Sequence, residues 1–218
     1  MIDVDADTRA VEQGCVYSTN AATNPAYAVK ILDPNTEEVL IQERLLREID
    51  HPSNHTLPSE MTVTGHPLLI MPMVHSAEYI YPGKCSLSMV LDVMFQLVEG
   101  IEFMHSLHIV HMDICPGNLL TANPRHASAH QTIVADRLYI IDFGQSRQFA
   151  LGPGVQRAIT LPETQMDPPN DLLHFDPYSW DVYCIGRTMD YFMSVRSHPH
   201  LASTFDSQSP RNRANFAT

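Results

Sequence analysis

The first third of the chain carries its apolar residues in three short runs. Runs rich in Val, Ile and Tyr at 14–18 and 27–32 are typical of β-strands, and a turn-like stretch separates them. A third run at 66–74 has the composition of a further buried strand. Together the three runs predict a small sheet.

Between the second and third runs, apolar residues recur with helical spacing from 39 to 49. Asn35 followed by Glu38 is typical of a capping box, in which side chains bond the free backbone N–H groups of the first turn. The helix should end before His51-Pro52, because proline restricts the residue that precedes it. The predicted order is strand, strand, helix, strand.

The remainder of the chain has a mainly helical pattern. Helical spacing predicts helices at 87–107 and 180–195, with a strand at 138–142 between them. The segment 124–137 is polar and gives no strand or helix signal. Residues 197–218 have little apolar content, so we expect them to fray or stay disordered.

Composition narrows the possible partners and locations. The 218 residues have a formal net charge of −12, so nucleic acid and anionic membranes would be repelled and neither is expected as a partner. No apolar run is long enough to cross a bilayer, and the N-terminal residues lack the apolar core of a signal peptide. The four cysteines are scattered without a C-x-x-C pair, which favours a reducing, intracellular and cytoplasmic setting.

Two stretches carry residues suited to phosphoryl transfer. In H-I-V-H-M-D-I-C-P-G-N-L-L at 108–120, Asp113 could orient a hydroxyl nucleophile and Asn118 could bind a divalent cation. Asp142, at a strand end before Phe-Gly, could supply a second oxygen ligand. Mg²⁺ prefers oxygen ligands, usually one or two carboxylates together with substrate phosphates. Each motif is weak alone, but this order, bounded by apolar strands, is a strong signal.

Five short motifs in this order resemble the eukaryotic protein kinase domain, closer to the serine/threonine-like than to the tyrosine-specific members. They are A-V-K at 28–30, H-M-D-I-C-P-G-N at 111–118, D-F-G at 142–144, P-E at 162–163 and D-V-Y-C-I-G at 181–186. The resemblance spans residues 14 to 195, which is most of the chain.

The resemblance implies an α+β fold with two lobes and with ATP in the cleft between them. A small, mainly-β N-lobe with one helix would occupy residues 1–74, and a mainly helical C-lobe residues 75–196, followed by a flexible tail at 197–218. The chain ends before the last helices of the large lobe, as in a natural short form or an incomplete gene, so Glu163 is expected to lack its usual arginine partner.

Carried onto this sequence, the resemblance implies a role for four polar residues. Lys30 would pair with the α- and β-phosphates of ATP, and strand alternation puts it on the face of Ala28. Asp113 would accept or orient the proton of the substrate hydroxyl. Asn118 and Asp142 would be the two ligands of Mg²⁺.

The resemblance also implies an adenine site. Met71 would stand at the gatekeeper position of the hinge between the lobes, where Pro72 needs to offer only its carbonyl and Val74 keeps the N–H that adenine requires. Asp181 would brace the catalytic loop. The ring itself would lie between three apolar residues, Val16, Ala28 and Leu120.

Several departures from the family pattern predict weakened chemistry. Of the glycine-rich loop only Gly14 remains, since Arg9 and Val11 occupy earlier glycine positions and would hold the backbone away from phosphate. Cys115 replaces a lysine that neutralises phosphoryl charge, and Gln156 replaces the threonine that bridges that lysine and the aspartate. Loss of one fixed cation from a dry site costs on the order of 10²-fold or more in rate.

Two further departures concern regulation and the lysine. Met112 replaces the arginine that would hold a phosphorylated activation loop, so control through that loop is not expected. Counting along the predicted helix puts Gln42 opposite Lys30, with Glu43 as the nearest acid, so the ion pair of this lysine is expected to be absent. The segment between the two metal ligands is also longer than the family usually shows.

Three functions remain open at this point. The first is an ATP- and Mg²⁺-dependent kinase of protein Ser or Thr residues, with weakened activity and an unknown protein substrate and oligomeric state. The second is a pseudokinase that serves as a binding module, which the depleted glycine loop, Cys115 and the short C-terminus support. The third is a small-molecule phosphotransferase of the aminoglycoside or choline kinase kind, against which L-P-E-T-Q at 161–165 and the motif at 181–186 argue.

Overall fold

The computed structural model shows a β-rich first part and a mainly helical second part. It describes residues 10–11, 16–19, 25–62, 65–80, 85–169 and 172–194. Gly14, Arg9 and the predicted tail at 197–218 lie outside the described residues. The predicted lobe boundary after residue 74 stays a prediction.

Five antiparallel strands form the sheet of the first part, in the order β1-β2-β3-β5-β4. The predicted strands correspond to β2, β3 and β5, whereas β1 and β4 are too short for the apolar pattern to indicate them. In the pairing of β3 with β5, Ala28 lies opposite Met71. The strands are β1 (Ala10–Val11), β2 (Val16–Ser18), β3 (Tyr27–Ile31), β4 (Glu60–Thr62) and β5 (Leu68–Pro72).

Helix α1 (Glu38–Arg47) lies between β3 and β4, as predicted, but the predicted capping box is wrong. Glu37 occupies the N-cap position with helical backbone angles and makes no side-chain cap. Asn35 belongs to the preceding turn, where its backbone N–H and side chain both donate to Asp33 Oδ1. Glu38 is therefore free of a capping role.

Helices α2 (Leu87–Ser106) and α4 (Pro177–Ser194) confirm the two long helices expected from the apolar spacing. Ser86 caps α2 by accepting a hydrogen bond from the Met89 N–H. Buried residues of α2 and α4 belong to one hydrophobic cluster, the largest in the described part of the chain. Within the described residues no helix has the length and apolar character needed to cross a membrane.

Helix α3 (Pro124–Ala129) lies in the segment that gave no helix signal. Its N-terminus is a capping box in which Asn123 Oδ1 accepts from the His126 N–H while His126 Nδ1 accepts from the Asn123 N–H. No residue of α3 is buried, so the helix has no apolar stripe that a periodicity argument could detect.

Seven two- or three-residue strands hold the loops of the second part. They form the sheet β6-β8-β9 and the pairs β7-β10 and β11-β12. The predicted strand at 138–142 is confirmed as β9, which ends two residues before Asp142. These strands are β6 (His75–Ser76), β7 (Ile109–Val110), β8 (Leu119–Thr121), β9 (Leu138–Ile140), β10 (Arg147–Gln148), β11 (Ile159–Thr160) and β12 (His174–Phe175).

Candidate active site

The loop that follows β7 is held by a buried carboxylate. Asp181 of α4 accepts hydrogen bonds from the His111 N–H at 2.8 Å and the Met112 N–H at 2.9 Å, and His105 Nε2 lies 2.9 Å from its Oδ2. These contacts hold Met112 at φ 69°, in the left-handed region. Trp180 Nε1 donates to the Met112 carbonyl at 2.8 Å. The side chain of Met112 is fully buried in the core, so it fills apolar space.

Asp113 lies next on this loop and both of its carboxylate oxygens accept hydrogen bonds. Asn118 Nδ2 donates to the Asp113 carbonyl at 2.8 Å and to its Oδ2 at 3.2 Å. The backbone N–H of Gln165 donates to Oδ1 at 2.8 Å and the Gln165 Nε2 to Oδ2 at 2.9 Å. Asp113 is 8% exposed, and its carboxylate accepts hydrogen bonds from the amide groups of Asn118 and Gln165.

The predicted place of Gln156 in this cluster is wrong. Gln156 Nε2 donates to the carbonyl of Arg157 and does not reach Asp113. Gln165, nine residues further along, makes the contact instead. The prediction failed because it counted backwards from Pro162-Glu163, and the sequence offers no local signal at Gln165 that would have corrected the count.

No cation replaces the lysine that the family pattern has at position 115. Cys115 is buried, and this burial, reinforced by the negative charge of Asp113, raises the pKa of its thiol to about 12. The thiol is therefore neutral at physiological pH. Within the described part of the chain, no lysine or arginine forms an ion pair with Asp113.

Lys30 does have an acidic partner on α1, so the expectation of an absent ion pair is wrong. Lys30 Nζ lies 2.5 Å from Glu38 Oε1 and 2.8 Å from Asp142 Oδ1. Gln42, expected to face Lys30, is buried, and its Oε1 has no hydrogen-bond partner among the described residues. The count from the apolar positions of the helix is off by one helical turn, since the partner of Lys30 is Glu38, four residues before Gln42.

The charges of this cluster support one another. Burial alone would lower the pKa of Lys30, but Asp142 and Glu38 outweigh it and the pKa is raised. Burial would raise the pKa of Asp142, but the Lys30 ammonium and its hydrogen bond hold that pKa below its ordinary value. For Glu38 burial prevails over the attraction of Lys30, and its pKa is raised. In the pair of Lys30 with Asp142, both side chains are therefore stabilised in their charged forms.

Asp142 has φ 64°, in the left-handed region, and is followed by Phe143 and Gly144. Phe143 is buried against the His111 ring, with ring centroids 5.3 Å apart. A Cβ on Gly144 would lie 3.3 Å from Asp142 Oδ1 and 3.7 Å from Lys30 Nζ. A side chain at 144 would therefore crowd the charged cluster, which explains the glycine there.

The loops that carry Asn118 and Asp142 are bonded to each other. The Ile141 N–H donates to the Asn118 carbonyl at 3.1 Å, and His111 Nε2 lies 3.0 Å from the Ile141 carbonyl. These bonds join Lys30, Asp113, Asn118 and Asp142 into one region of the molecule.

The available oxygen donors fit Mg²⁺. Asn118 uses its amide nitrogen on Asp113, which leaves its amide oxygen for a cation, and the lowered pKa of Asp142 keeps that carboxylate ionised. The described residues contain no group of three or more His, Cys, Asp or Glu side chains that could hold a metal by themselves. Mg²⁺ does not need such a group, because it is usually held by one or two carboxylates together with substrate phosphates.

The predicted adenine site is apolar and is shared by both parts of the fold. Val74 and Leu120 belong to one buried cluster, against which Met71 packs. Ala28 is buried opposite Met71 on the neighbouring strand. Pro72 ends β5, and Val16 lies opposite Lys30 in the sheet. Val16, Ala28 and Pro72 lie on three neighbouring strands of the first sheet, whereas Leu120 lies on β8 of another sheet. Their contact with adenine stays a prediction.

Comparison with known proteins identifies the family. The sequence pattern that defines the protein kinase domain matches residues 12–163, which is more than half of the chain. The chain belongs to the protein kinase domain family. The order of the five motifs and the ion pair that joins Lys30 to Asp142 agree with this membership.

Relatives and a solved structure agree with the assignment. The chain is 29% identical over 154 residues to ribosomal protein S6 kinase alpha-6 of Mus musculus, covering 67% of this chain and 18% of the relative. It is 28% identical over 117 residues to the serine/threonine-protein kinase/endoribonuclease IRE2 of Homo sapiens, covering 49% and 12%. The chain therefore spans less than a fifth of the length of either relative.

The fold itself is confirmed by a structural likeness. The Cydia pomonella granulovirus kinase PK-1 superposes with a TM-score of 0.58 at 18% identity, covering 89% of this chain and 71% of that chain. This likeness confirms the α+β kinase fold that the motifs predicted, with strands first and helices later.

Proposed function

We propose that this chain transfers the γ-phosphate of ATP, with Mg²⁺, to a Ser or Thr hydroxyl of a protein substrate, at a reduced rate. The observation that carries the proposal is the ion pair of Lys30 with Asp142, which joins residues 112 positions apart at 2.8 Å, on a loop bonded to that of Asp113 and Asn118. The Ser/Thr preference rests on the motif resemblance and on relatives such as the IRE2 kinase.

Each of the four residues has a distinct task in this mechanism. Lys30 holds a positive charge, secured by its raised pKa, where the α- and β-phosphates would lie. Asp113 orients the substrate hydroxyl and accepts its proton as the oxygen attacks phosphorus. Asn118 and Asp142 would hold Mg²⁺, which when bound offsets the negative charge of the phosphates.

The expected rate is low because the acceptor side of the site has no fixed cation. The neutral thiol of Cys115 cannot stabilise the charge of the phosphoryl group in transit. A missing preorganised charge of this kind costs about 10²- to 10³-fold in kcat.

A binding module without turnover is the second candidate function. It is favoured by the same neutral Cys115 and by Arg9 and Val11 at glycine positions of the phosphate loop. Such a module would retain the Lys30–Asp142 pair as a nucleotide-binding element and would use the fold to bind a protein partner.

Transfer of labelled phosphate from Mg·ATP to casein tests the two candidates. Asp113→Asn should reduce transfer by about 10²- to 10⁴-fold, since it removes the general base. Asp92→Asn is a matched control, because Asp92 is exposed on α2 and its carboxylate only bonds Gln96. Equal background transfer by the wild type and Asp113→Asn, on folded protein that still binds ATP, would sink the kinase proposal in favour of the binding module.

A further inference from the structure

The contact between Gln165 and Asp113 is made by two parts of one residue. The backbone N–H reaches Oδ1 at 2.8 Å and the side-chain amide reaches Oδ2 at 2.9 Å, so Gln165 grips both oxygens at once. A two-point contact of this kind fixes the plane of the carboxylate as well as its position.

The loop that carries Gln165 has an internal hydrogen bond and a second one to helix α4. Thr164 Oγ1 donates to the Met166 carbonyl at 2.9 Å, and the Tyr183 hydroxyl donates to the Asp167 carbonyl at 3.2 Å. Because Tyr183 belongs to α4, the loop is tied to the helix whose Asp181 braces the catalytic loop. Helix α4 therefore holds both the loop of Gln165, through Tyr183, and the loop of Asp113, through Asp181.

The Asp113 carboxylate has an acceptor site that could receive a hydrogen bond from a substrate hydroxyl. An ionised carboxylate offers about four acceptor sites, two on each oxygen. Among the described residues, Oδ2 accepts from Asn118 and from the side chain of Gln165, whereas Oδ1 accepts from the Gln165 backbone N–H alone. The second site of Oδ1 is left for an incoming hydroxyl group.

We propose that Gln165 is the positioning residue for Asp113, which orients the carboxylate through neutral amide donors where no cation is available. The inference rests on the proposed function, because it assigns Gln165 a task in that phosphoryl transfer. The side-chain donor is the part that a substitution can remove, while the backbone donor remains.

Kinetics of Gln165→Met provide the first test. Methionine is of similar length but cannot donate, so kcat should fall about fivefold to tenfold, as expected for one lost hydrogen bond, with the KM for ATP unchanged. Gln165→Lys keeps a donor and adds a charge, so it should retain or exceed the wild-type kcat. Gln156→Met and Gln156→Lys are matched controls, since Gln156 lies on the same segment and its side-chain amide donates to the Arg157 carbonyl.

A double-mutant cycle in unfolding gives a readout that does not need turnover. Asp113→Asn combined with Gln165→Met should be non-additive in the free energy of unfolding, whereas Asp113→Asn with Gln156→Met should be additive. Additive behaviour of both pairs, or a Gln165→Met enzyme that transfers phosphate like the wild type, would overturn the inference. A wild type that transfers no phosphate would overturn the proposed function and, with it, the role of Gln165 in phosphoryl transfer. The double-mutant cycle would still decide whether Gln165 and Asp113 interact.

Discussion

Asp142 and Asp113 both follow short buried strands, yet they are held by different kinds of neighbour. Asp142 is paired at 2.8 Å with the Lys30 ammonium, and the pair is completed by Glu38. Among the described residues, the Asp113 carboxylate accepts from the amide groups of Asn118 and Gln165. In the proposed reaction, the nucleotide side of the site therefore has a fixed cation, whereas the described residues provide none on the acceptor side.

Because Asp142 is paired with a cation and Asp113 with neutral amides, nucleotide binding and the rate of phosphoryl transfer should be affected differently. A fixed positive charge favours phosphate whether or not a reaction follows, whereas neutral donors orient a carboxylate without offsetting charge that moves during transfer. We therefore expect nucleotide binding to survive in this chain better than its rate of phosphoryl transfer.

The largest effect should come from removing the brace of the acceptor side. Asp181→Asn replaces one carboxylate oxygen by an NH2 group, so one of the two buried N–H donors would face another donor, and the free energy of unfolding should fall by about 3–5 kcal/mol. Urea unfolding at constant m-value measures this loss. Asp190→Asn, at an exposed site on the same helix, should change it by less than about 0.5 kcal/mol. Similar midpoints for the two variants would show that Asp181 is not the brace.

Removal of the cation on the nucleotide side should act on chemistry more than on stability. Lys30→Met should raise the KM for ATP and lower kcat/KM by about 10²- to 10³-fold, since the charge that would hold the phosphates is lost. Arg47→Met, an exposed cation at the end of α1, is the control and should leave the rate unchanged. If Lys30→Met transfers phosphate as well as the control, the cation is not what distinguishes the two sides of the cleft.

Short motifs are the reason that much of this site could be predicted. Lys30, Asp113, Asn118 and Asp142 each occur within a local pattern whose spacing predicts a role, and the structure brings these residues together. The long helices could be predicted as well, because α2 and α4 bury a continuous apolar face. Features that depend on short motifs or on a continuous buried face can therefore be predicted from the sequence.

Contacts that depend on the three-dimensional path of a loop could not be predicted. Gln165 reaches Asp113 from 52 positions away, and no local pattern encodes the path of the segment between them. Glu38 was missed for another reason, since an acid at the start of a helix fits a cap as well as it fits an ion pair. Helix α3 was missed because it buries no residue.

The pH dependence of Glu38 tests the third member of the charged cluster. Burial raises its pKa in the folded state, so its contribution to stability is full below its ordinary pKa and is lost as pH rises through the raised value. Glu38→Gln cannot lose a proton, so this variant should gain in stability relative to the wild type as pH is raised from 4 to 8. Unfolding free energies at a series of pH values measure the trend, and a constant difference would mean that Lys30 fully compensates the buried charge.

The smallest effect on stability is expected at Glu99, a carboxylate outside the candidate active site. It provides a reference for the effects predicted at Asp181 and Glu38. Glu99 accepts from Ser53 Oγ at 3.2 Å and lies 3.0 Å from His55 Nε2, whose hydrogen bond lowers the pKa of Glu99. The resulting stability is present above the ordinary pKa of glutamate and is lost as pH falls through the lowered value. Because Glu99 is a third exposed, Glu99→Gln should cost less than about 1 kcal/mol at pH 7 and nothing at pH 3. Glu102→Gln, on the exposed face one turn further along α2, provides the baseline. A loss at pH 7 as large as that of Asp181→Asn would mean that a partly exposed contact is worth as much as a buried brace, and the contrast between the two sides of the cleft could then no longer be attributed to burial and charge.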